Sequence, residues 1–333
     1  MDQSSISFKK IVCQGVEFRY DPLTRTLSRI NPERAKRLKH TATGSDLNKL
    51  LEDSRSSCPF CPERVEAVTP NFSPEICPDG KIRLGEVIAF PNLNPFGENH
   101  AVAILTKDHA LFLDRVPEDS IANSLFVTQE YCLRLNRKNP TPLYPLYLWN
   151  YMPPSAGSLP HPHIQVLVER EPFPELANLI LKSRGYFRKW KRNYWSDLVA
   201  EEEKRNERFI ARKRSLSVLA SFAPRGFREV LFVFQGVSSL LQMKPVDVQE
   251  FSSCLTRILL AYHTLGVGSF NLVLYSGRIG EEMPYFSLNA KLISRPFPAG
   301  VYTNDTGPLE RLCGTYVIDT LPEEVAASTR LFF

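Results

Sequence analysis

A mixed α and β fold, built twice in succession, is what this sequence predicts, and two observations predict it. The first is a set of short β-rich segments bounded by turn residues between 85 and 169. The second is the return of the same order of segments between 217 and 293. In the first unit, 85–91 and 100–106 read as strands joined by a Pro/Asn/Gly turn region. Over 117–138 the residues Ile121, Leu125, Val127 and Cys132 fit a helix, which Pro117-Glu118-Asp119 opens and Asn139-Pro140 stops. Two more strands follow at 143–150 and 163–169. In the second unit, 217–222 and 229–234 are strand-like on either side of Ala223-Pro224-Arg225-Gly226. A helix over 245–265 carries Val248, Phe251, Leu255, Leu259 and Tyr262 at helical spacing, with Gly266 as its cap. Strands at 270–275 and 285–293 complete it. Between the units, 182–215 mixes Lys, Arg and Glu with Tyr186, Trp190 and Trp195, and reads as an amphipathic connector helix with a solvated charged face rather than a nucleic-acid surface.

Length and composition set the class. The 333 residues make about two domains, with the division expected near residue 170: 1–170 and 171–333. Hydrophobic residues at 43 % and charged residues at 23 % exclude a disordered or collagen-like chain. A net charge of +5 is too weak to argue for nucleic acid and suits an anionic small substrate. No charged start is followed by an apolar run, and no apolar stretch approaches the ~18 residues that span a membrane. Neither a membrane nor a nucleic acid is therefore an expected partner, and a cytoplasmic enzyme is the expectation. Seven cysteines, two of them in Cys58-Pro59-Phe60-Cys61, read better as reduced thiols with a metal-type pair than as a disulfide framework.

The chemistry concentrates in 150–168. Alternate residues of a strand share a face, so His161, His163 and Gln165 point one way while Ile164, Val166 and Val168 point into a core. Pro162 has no N–H, which places the start of this strand at an unpaired position. Upstream, Pro153-Pro154-Ser155-Ala156-Gly157-Ser158 is a tight polar turn whose amides and hydroxyls suit phosphate oxygens. Cys58 and Cys61 have the spacing of a zinc knuckle, although a lone pair of this kind also serves as a redox couple. Zinc needs about four ligands; His109 and His161 are the economical completion, with Cys77 the alternative.

These motifs resemble the galactose-1-phosphate uridylyltransferase family of the histidine triad superfamily, together with the ADP-glucose phosphorylases. The resemblance runs through Tyr20-Asp21-Pro22-Leu23-Thr24, the Pro-x-Arg-Ala-x-Arg element at 32–37, Cys58-Pro59-Phe60-Cys61, Phe90-Pro91-Asn92 and Asp108-His109. It ends with Asn150, Ser158 and His161-Pro162-His163-Ile164-Gln165. It implies an α+β fold of two tandem half-barrels of antiparallel strands with flanking helices, the second degenerate. It implies a nucleotidyltransferase that takes a nucleoside monophosphate onto His163, with Gln165 hydrogen-bonding the transferred phosphate. Asn150 and Ser158 would contact phosphate, Arg34 and Arg37 would supply charge, and Asn92 would lie by the nucleoside. Cys58, Cys61, His109 and His161 would hold a structural Zn²⁺. The donor would be a nucleotide sugar or other nucleotide, the acceptor a phosphorylated small molecule or phosphate, and family members are often homodimers. A phosphorylase acting on nucleotide sugars or dinucleoside polyphosphates, and an inactive nucleotide-binding protein, are the alternatives.

The second half departs from the family. Ser287 and Asn289 stand where a second His-x-His would sit, which argues against a second metal there. The hexose-contacting Lys-Phe-x-x-Gly-x-Glu segment corresponds to Glu310-Arg311-Leu312-Cys313-Gly314-Thr315-Tyr316, with Tyr316 in place of the glutamate. Lys291 and Arg295 read as surface charge on an edge strand more readily than as contacts to an acceptor phosphate.

Overall fold

The computed structural model describes residues 6–36, 47–141, 143–296 and 305–333. In chain order the N-terminal strands are β1 (Lys9–Cys13), β2 (Val16–Tyr20) and β3 (Leu27–Ile30), followed by α1 (Leu47–Arg55) and α2 (Pro62–Val68). The first repeated unit contains β4 (Ile82–Leu84), β5 (Val87–Pro91), β6 (His100–Ile104), α3 (Glu118–Lys138), β7 (Tyr144–Tyr151) and β8 (His163–Glu169). Two connecting helices follow, α4 (Pro174–Trp190) and α5 (Tyr194–Arg205). The second unit is β9 (Phe209–Arg212), β10 (Leu216–Ala220), β11 (Phe227–Phe234), α6 (Pro245–Thr264), β12 (Ser269–Tyr275) and β13 (Asn289–Arg295). The chain closes with α7 (Pro308–Cys313), β14 (Thr315–Ile318) and α8 (Pro322–Arg330).

The long helices form where composition and end signals agree. In α3 the acidic Glu118 and Asp119 lie in the first turn and Arg137 and Lys138 in the last, each complementing the helix dipole. In α6, Pro245 opens the helix and the Asp247 carboxylate accepts from the Lys244 N–H at 2.7 Å. Gly266 takes φ +72° just past its end, the left-handed turn that the sequence reserves for glycine. The charged connector is two helices rather than one. Lys191 adopts φ 55° and the Asn193 side chain accepts from the Trp195 and Ser196 N–H groups, ending α4 and starting α5.

The ten-stranded sheet runs β4-β5-β6-β8-β7-β12-β13-β11-β10-β9. Read outward from its centre, β7-β8-β6-β5 and β12-β13-β11-β10 repeat one order, and all the pairings in this sheet are antiparallel. The two halves join where β7 pairs with β12, Asn150 opposite Asn271. One face carries the main core against α3, α6 and α8, with Trp149, Ile164, Val166, Phe232, Phe251 and Leu272 all within it. On the other face, α4 and α5 cover the second half through Leu179, Trp195, Leu198, Leu231 and Val233. Over the first half the cover is slight: Val65 of α2 with Phe60, Phe90, Val102 and Ile104.

A second sheet, β1-β2-β3-β14, pairs β14 parallel to β3 and packs against the second half through Ser28 to Pro224 O at 2.6 Å and Arg225 to Thr26 at 3.1 Å. β13 is an interior strand between β12 and β11, so Lys291 and Arg295 do not sit on an edge. Lys291 pairs with the buried Glu229 at 2.9 Å, and Arg295 with Asp305. Segment 285–288 is turn and irregular backbone rather than strand; β13 begins at Asn289. No described helix is long and apolar enough to cross a membrane.

Candidate functional site

The site is assembled on the thinly covered face of the first half. Pro162 lies just before β8, and its carbonyl accepts from the Leu105 N–H at 2.9 Å. The register pairs Ile104 with His163, Val102 with Gln165 and Leu148 with Gln165. Continued by two residues, the β7–β8 register sets Asn150 opposite His163, and residues directly opposite share a face. Ile164, Val166 and Val168 enter the main core, so His163 and Gln165 are turned the other way.

Below them lies a closed donor set. Cys58 Sγ, Cys61 Sγ and one ring nitrogen each from His109 and His161 all lie within 4.8 Å of one another, and all four residues are buried. Cys58 Sγ is 3.6 Å and Cys61 Sγ 3.8 Å from His161 Nδ1, and Cys61 Sγ is 3.4 Å from His109 Nδ1. A tetrahedron with bonds of about 2.3 Å to sulfur and 2.05 Å to nitrogen has S–N edges of about 3.5 Å. The far nitrogens set the tautomers. His161 Nε2–H donates to Thr106 O at 2.9 Å. Ser54 gives its hydroxyl proton to Leu51 O, so its oxygen accepts from His109 Nε2–H at 2.9 Å. Both imidazoles therefore aim an unprotonated Nδ1 at the thiols. Burial drives the His161 pKa down to about 4, and burial with the neighbouring Cys58 pushes the Cys61 thiol up to about 11. Such a set can hold a metal ion, whose charge would stabilise the thiolates that burial alone disfavours. Cys77 is buried in the main core and takes no part, which removes it as the alternative ligand.

His163 has the opposite tautomer. Its Nδ1–H donates to His161 O at 2.7 Å, and among the described residues Nε2 makes no hydrogen bond. Burial lowers its pKa, against the opposing pull of the His161 carbonyl, so the neutral ring with a free Nε2 lone pair is the resting form. Phe60 meets the rings of His161 and His163 edge-on at 6.0 and 5.1 Å. Gln165 Oε1 lies 2.8 Å from His100 Nε2, while His100 Nδ1 accepts from the Phe96 N–H at 3.4 Å. The His100 proton is thus on Nε2, and Gln165 presents its NH₂ away from it. Asn92 Nδ2 also approaches His100 Nε2, at 3.2 Å; the shorter contact to Gln165 takes the proton.

The loop after β7 is strained. Met152 has φ 69° and ψ 159°, a region nearly confined to glycine, and costs on the order of 1–3 kcal/mol. A Cβ on Gly157 would meet the backbone oxygens of Asn150 and Met152 at 2.9 and 3.0 Å, so only glycine closes this turn. Ser158 follows it, exposed. Arg34 is exposed in the 3-10 turn that follows β3, and no contact among the described residues joins it to the His163 cluster. Arg37 lies outside the described residues. Sequence reasoning missed His100, Ser54 and Asn271; His100 and Asn271 reach the site through pairing between distant strands, and Ser54, four residues before Cys58, shows its role only once His109 meets it.

The second half repeats one detail of the first. Asn289 Nδ2–H donates to the carbonyl of Ser287, two residues back, at 2.9 Å, as His163 does to His161. There α4 and α5 cover the face that the first half leaves open.

Comparison with known proteins follows the same lines. No protein-family model matches the chain. An uncharacterized protein of Archaeoglobus fulgidus is 30 % identical over 322 residues, 95 % of this chain and 92 % of that one. The structure of an ADP-glucose phosphorylase from Arabidopsis thaliana with bound ADP-glucose superposes with a TM-score of 0.73 at 18 % identity, covering 95 % of this chain and 98 % of that one. A galT-like protein, also from Arabidopsis thaliana, gives 0.72 at 17 %, covering 95 % and 99 %. A uridylyltransferase gives 0.67 at 21 %, covering 95 % and 98 %. The chain accordingly belongs to one family with the Archaeoglobus fulgidus protein, and it shares its fold with the ADP-glucose phosphorylase, galT-like and uridylyltransferase structures.

Proposed function

We propose that the protein is a nucleotidyltransferase working through a covalent nucleotidyl-His163. The observation that carries this reading is the pairing of His163 Nδ1–H with the His161 carbonyl, which leaves Nε2 unprotonated on the strand face that His163 shares with Gln165. The Nε2 lone pair attacks the α-phosphorus of a nucleotide donor, and the P–O bond to the leaving phosphate breaks with its electrons on that oxygen. The Nδ1 proton stays on the ring, where the His161 carbonyl offsets the positive charge that develops. An acceptor phosphate oxygen then attacks the same phosphorus and returns the lone pair to Nε2. Phosphoryl transfer of this kind needs placement and charge stabilisation more than further covalent chemistry. Gln165, Asn150 and Ser158 supply hydrogen-bond donors to the phosphate, Asn92 lies by the nucleoside, and Arg34 and Arg37 supply charge to the phosphates.

Cys58, Cys61, His109 and His161 would hold Zn²⁺ as a structural ion, fixing the segment that ends in His163. The first half, 1–170, then carries the reaction, and the second, 171–333, supports it. A phosphorylase, with inorganic phosphate as acceptor, is the second reading. It is favoured by Tyr316, which replaces the hexose-contacting glutamate of the resemblance and lies under the Arg225 guanidinium at 5.7 Å.

Intact mass after incubation with UDP-glucose, ADP-glucose or diadenosine tetraphosphate tests both readings. A gain of one nucleotide identifies the donor, and discharge by phosphate or by a sugar phosphate separates them. His163→Asn is expected to abolish the gain and leave one zinc per chain. Loss of adduct and zinc together would contradict the division of roles, and no gain with any donor would favour a nucleotide-binding protein without turnover.

A further inference from the structure

We propose that the second half sets the direction of the Asn150 amide through a relay running Asp305–Arg295–Asn271–Asn150, which makes Asn271 and Arg295 positioning residues for the phosphate contact beside His163. This rests on the reading of His163 as the group that takes the nucleotide. A guanidinium has five N–H donors and no acceptor, so Arg295 defines the polarity of everything bonded to it. Asp305 holds it through Nε to Oδ2 at 2.8 Å and Nη2 to Oδ1 at 2.6 Å. The remaining nitrogen, Nη1, donates to Asn271 Oδ1 at 2.7 Å.

With its oxygen committed, Asn271 must turn its NH₂ toward β7. That group donates to Asn150 Oδ1 at 2.7 Å and to the Ser155 carbonyl at 2.8 Å. Asn150 therefore spends its oxygen on the second half and keeps its own NH₂ for the side where the register sets His163. The two ends of an asparagine amide are nearly the same size, so shape alone does not choose between them. To a phosphate they are opposites, one a donor and the other a repelling oxygen. The same relay ties down the Ser155 carbonyl, and with it the strained turn that leads to Ser158.

Asn271→Asp keeps the side-chain shape and the pairing with Arg295 but has no N–H to give to Asn150 or to the Ser155 carbonyl, and comparing it with and without Asn150 separates the two losses. Asn150 then donates to residue 271 and turns its oxygen to the incoming phosphate. Adduct formation from ADP-glucose or UDP-glucose is expected to slow about 10²-fold, the scale for losing a donor to a transferring group. In an Asn150→Ala background the same change is expected to slow it less than about threefold, since no amide remains to be turned. Arg295→Met is expected to slow adduct formation and Arg295→Lys, which can only donate, to restore most of the rate. Equal slowing by Asn271→Asp in both backgrounds, or no recovery by Lys over Met, overturns the relay. If the wild-type protein forms no adduct with any donor, the reading of His163 fails by itself. Calorimetric titration with AMP then decides the relay: weaker binding in Asn271→Asp only when Asn150 is present supports it, and any other result, absence of binding included, overturns it.

Discussion

His161 and His163 stand two residues apart and carry their protons on opposite nitrogens, because each ring meets a different backbone carbonyl. Thr106 O takes the Nε2 proton of His161 and turns Nδ1 to the thiols. His161 O takes the Nδ1 proton of His163 and frees Nε2. The same logic of donors reaches Gln165 through His100. Burial holds the His100 pKa below its ordinary value against the opposing bond to Gln165, so the ring is neutral near pH 7 with its proton on Nε2. His100→Phe removes that proton while keeping an aromatic ring against Phe96. Gln165 is then free to turn its oxygen toward the phosphate. The rate of nucleotidyl adduct formation, followed by intact mass, is expected to fall roughly tenfold, about the worth of one charge-assisted hydrogen bond. Zinc content is expected to stay unchanged.

At the scale of elements, the chain ends are joined by a charged cluster rather than by apolar packing alone. Arg19 of β2 is 2 % exposed and grips Glu323 of α8 with two bonds of 2.9 Å; Arg208, equally buried, reaches the same carboxylate at 2.7 Å. Burial works against a charge there, but the bonds and charges of Arg19 and Arg208 outweigh it and hold the Glu323 pKa down to about 2. A carboxylate whose pKa is depressed in the folded state stabilises the fold above its ordinary value of 4.5 and loses that contribution as pH falls toward 2. Glu323→Gln is therefore expected to melt lower than the wild-type protein at pH 7. The gap should narrow steadily between about pH 4.5 and pH 2.5 in thermal melts. A gap that stays constant over that range would place the effect in packing instead.

Across the whole molecule, one sheet serves two different halves. Its main-core face is alike in both, with a long helix, α3 or α6, against five strands. Its other face differs: α4 and α5 seal the second half, while the first is left to the Cys58–Cys61 loop and α2. A metal ion held by the donor set would pin that loop to the residues just before β8 and to the segment after β6. Stripping the metal with a strong chelator is expected to lower the melting temperature by several degrees and slow adduct formation, and added Zn²⁺ to restore both. Melting unchanged by chelation would assign the thiols another role.

How much of this could be read in advance depends on distance along the chain. The alternation from His163 to Gln165 was legible because a strand's period of two acts on neighbours; His161, read into the same strand, lies just before β8. Gly266, Pro117 and Pro245 marked helix ends for the same local reason. The break at Lys191 was hidden, because the charged run on both sides suits a single helix equally well and only Asn193 capping α5 separates the two. The sheet that joins β3 to β14 was hidden too, since its partners come from opposite ends of the chain.

By itself, then, the sequence marked His163, Gln165, Cys58, Cys61, His109 and His161 as the candidate chemistry, and the strand face that His163 and Gln165 share. Tertiary structure alone decided how those groups are oriented: His100 beside Gln165, Asn271 beside Asn150, and Glu323 between two arginines. The physical reason is that a hydrogen bond's direction is chosen by its partner, and these partners are neighbours only once the strands have found their register.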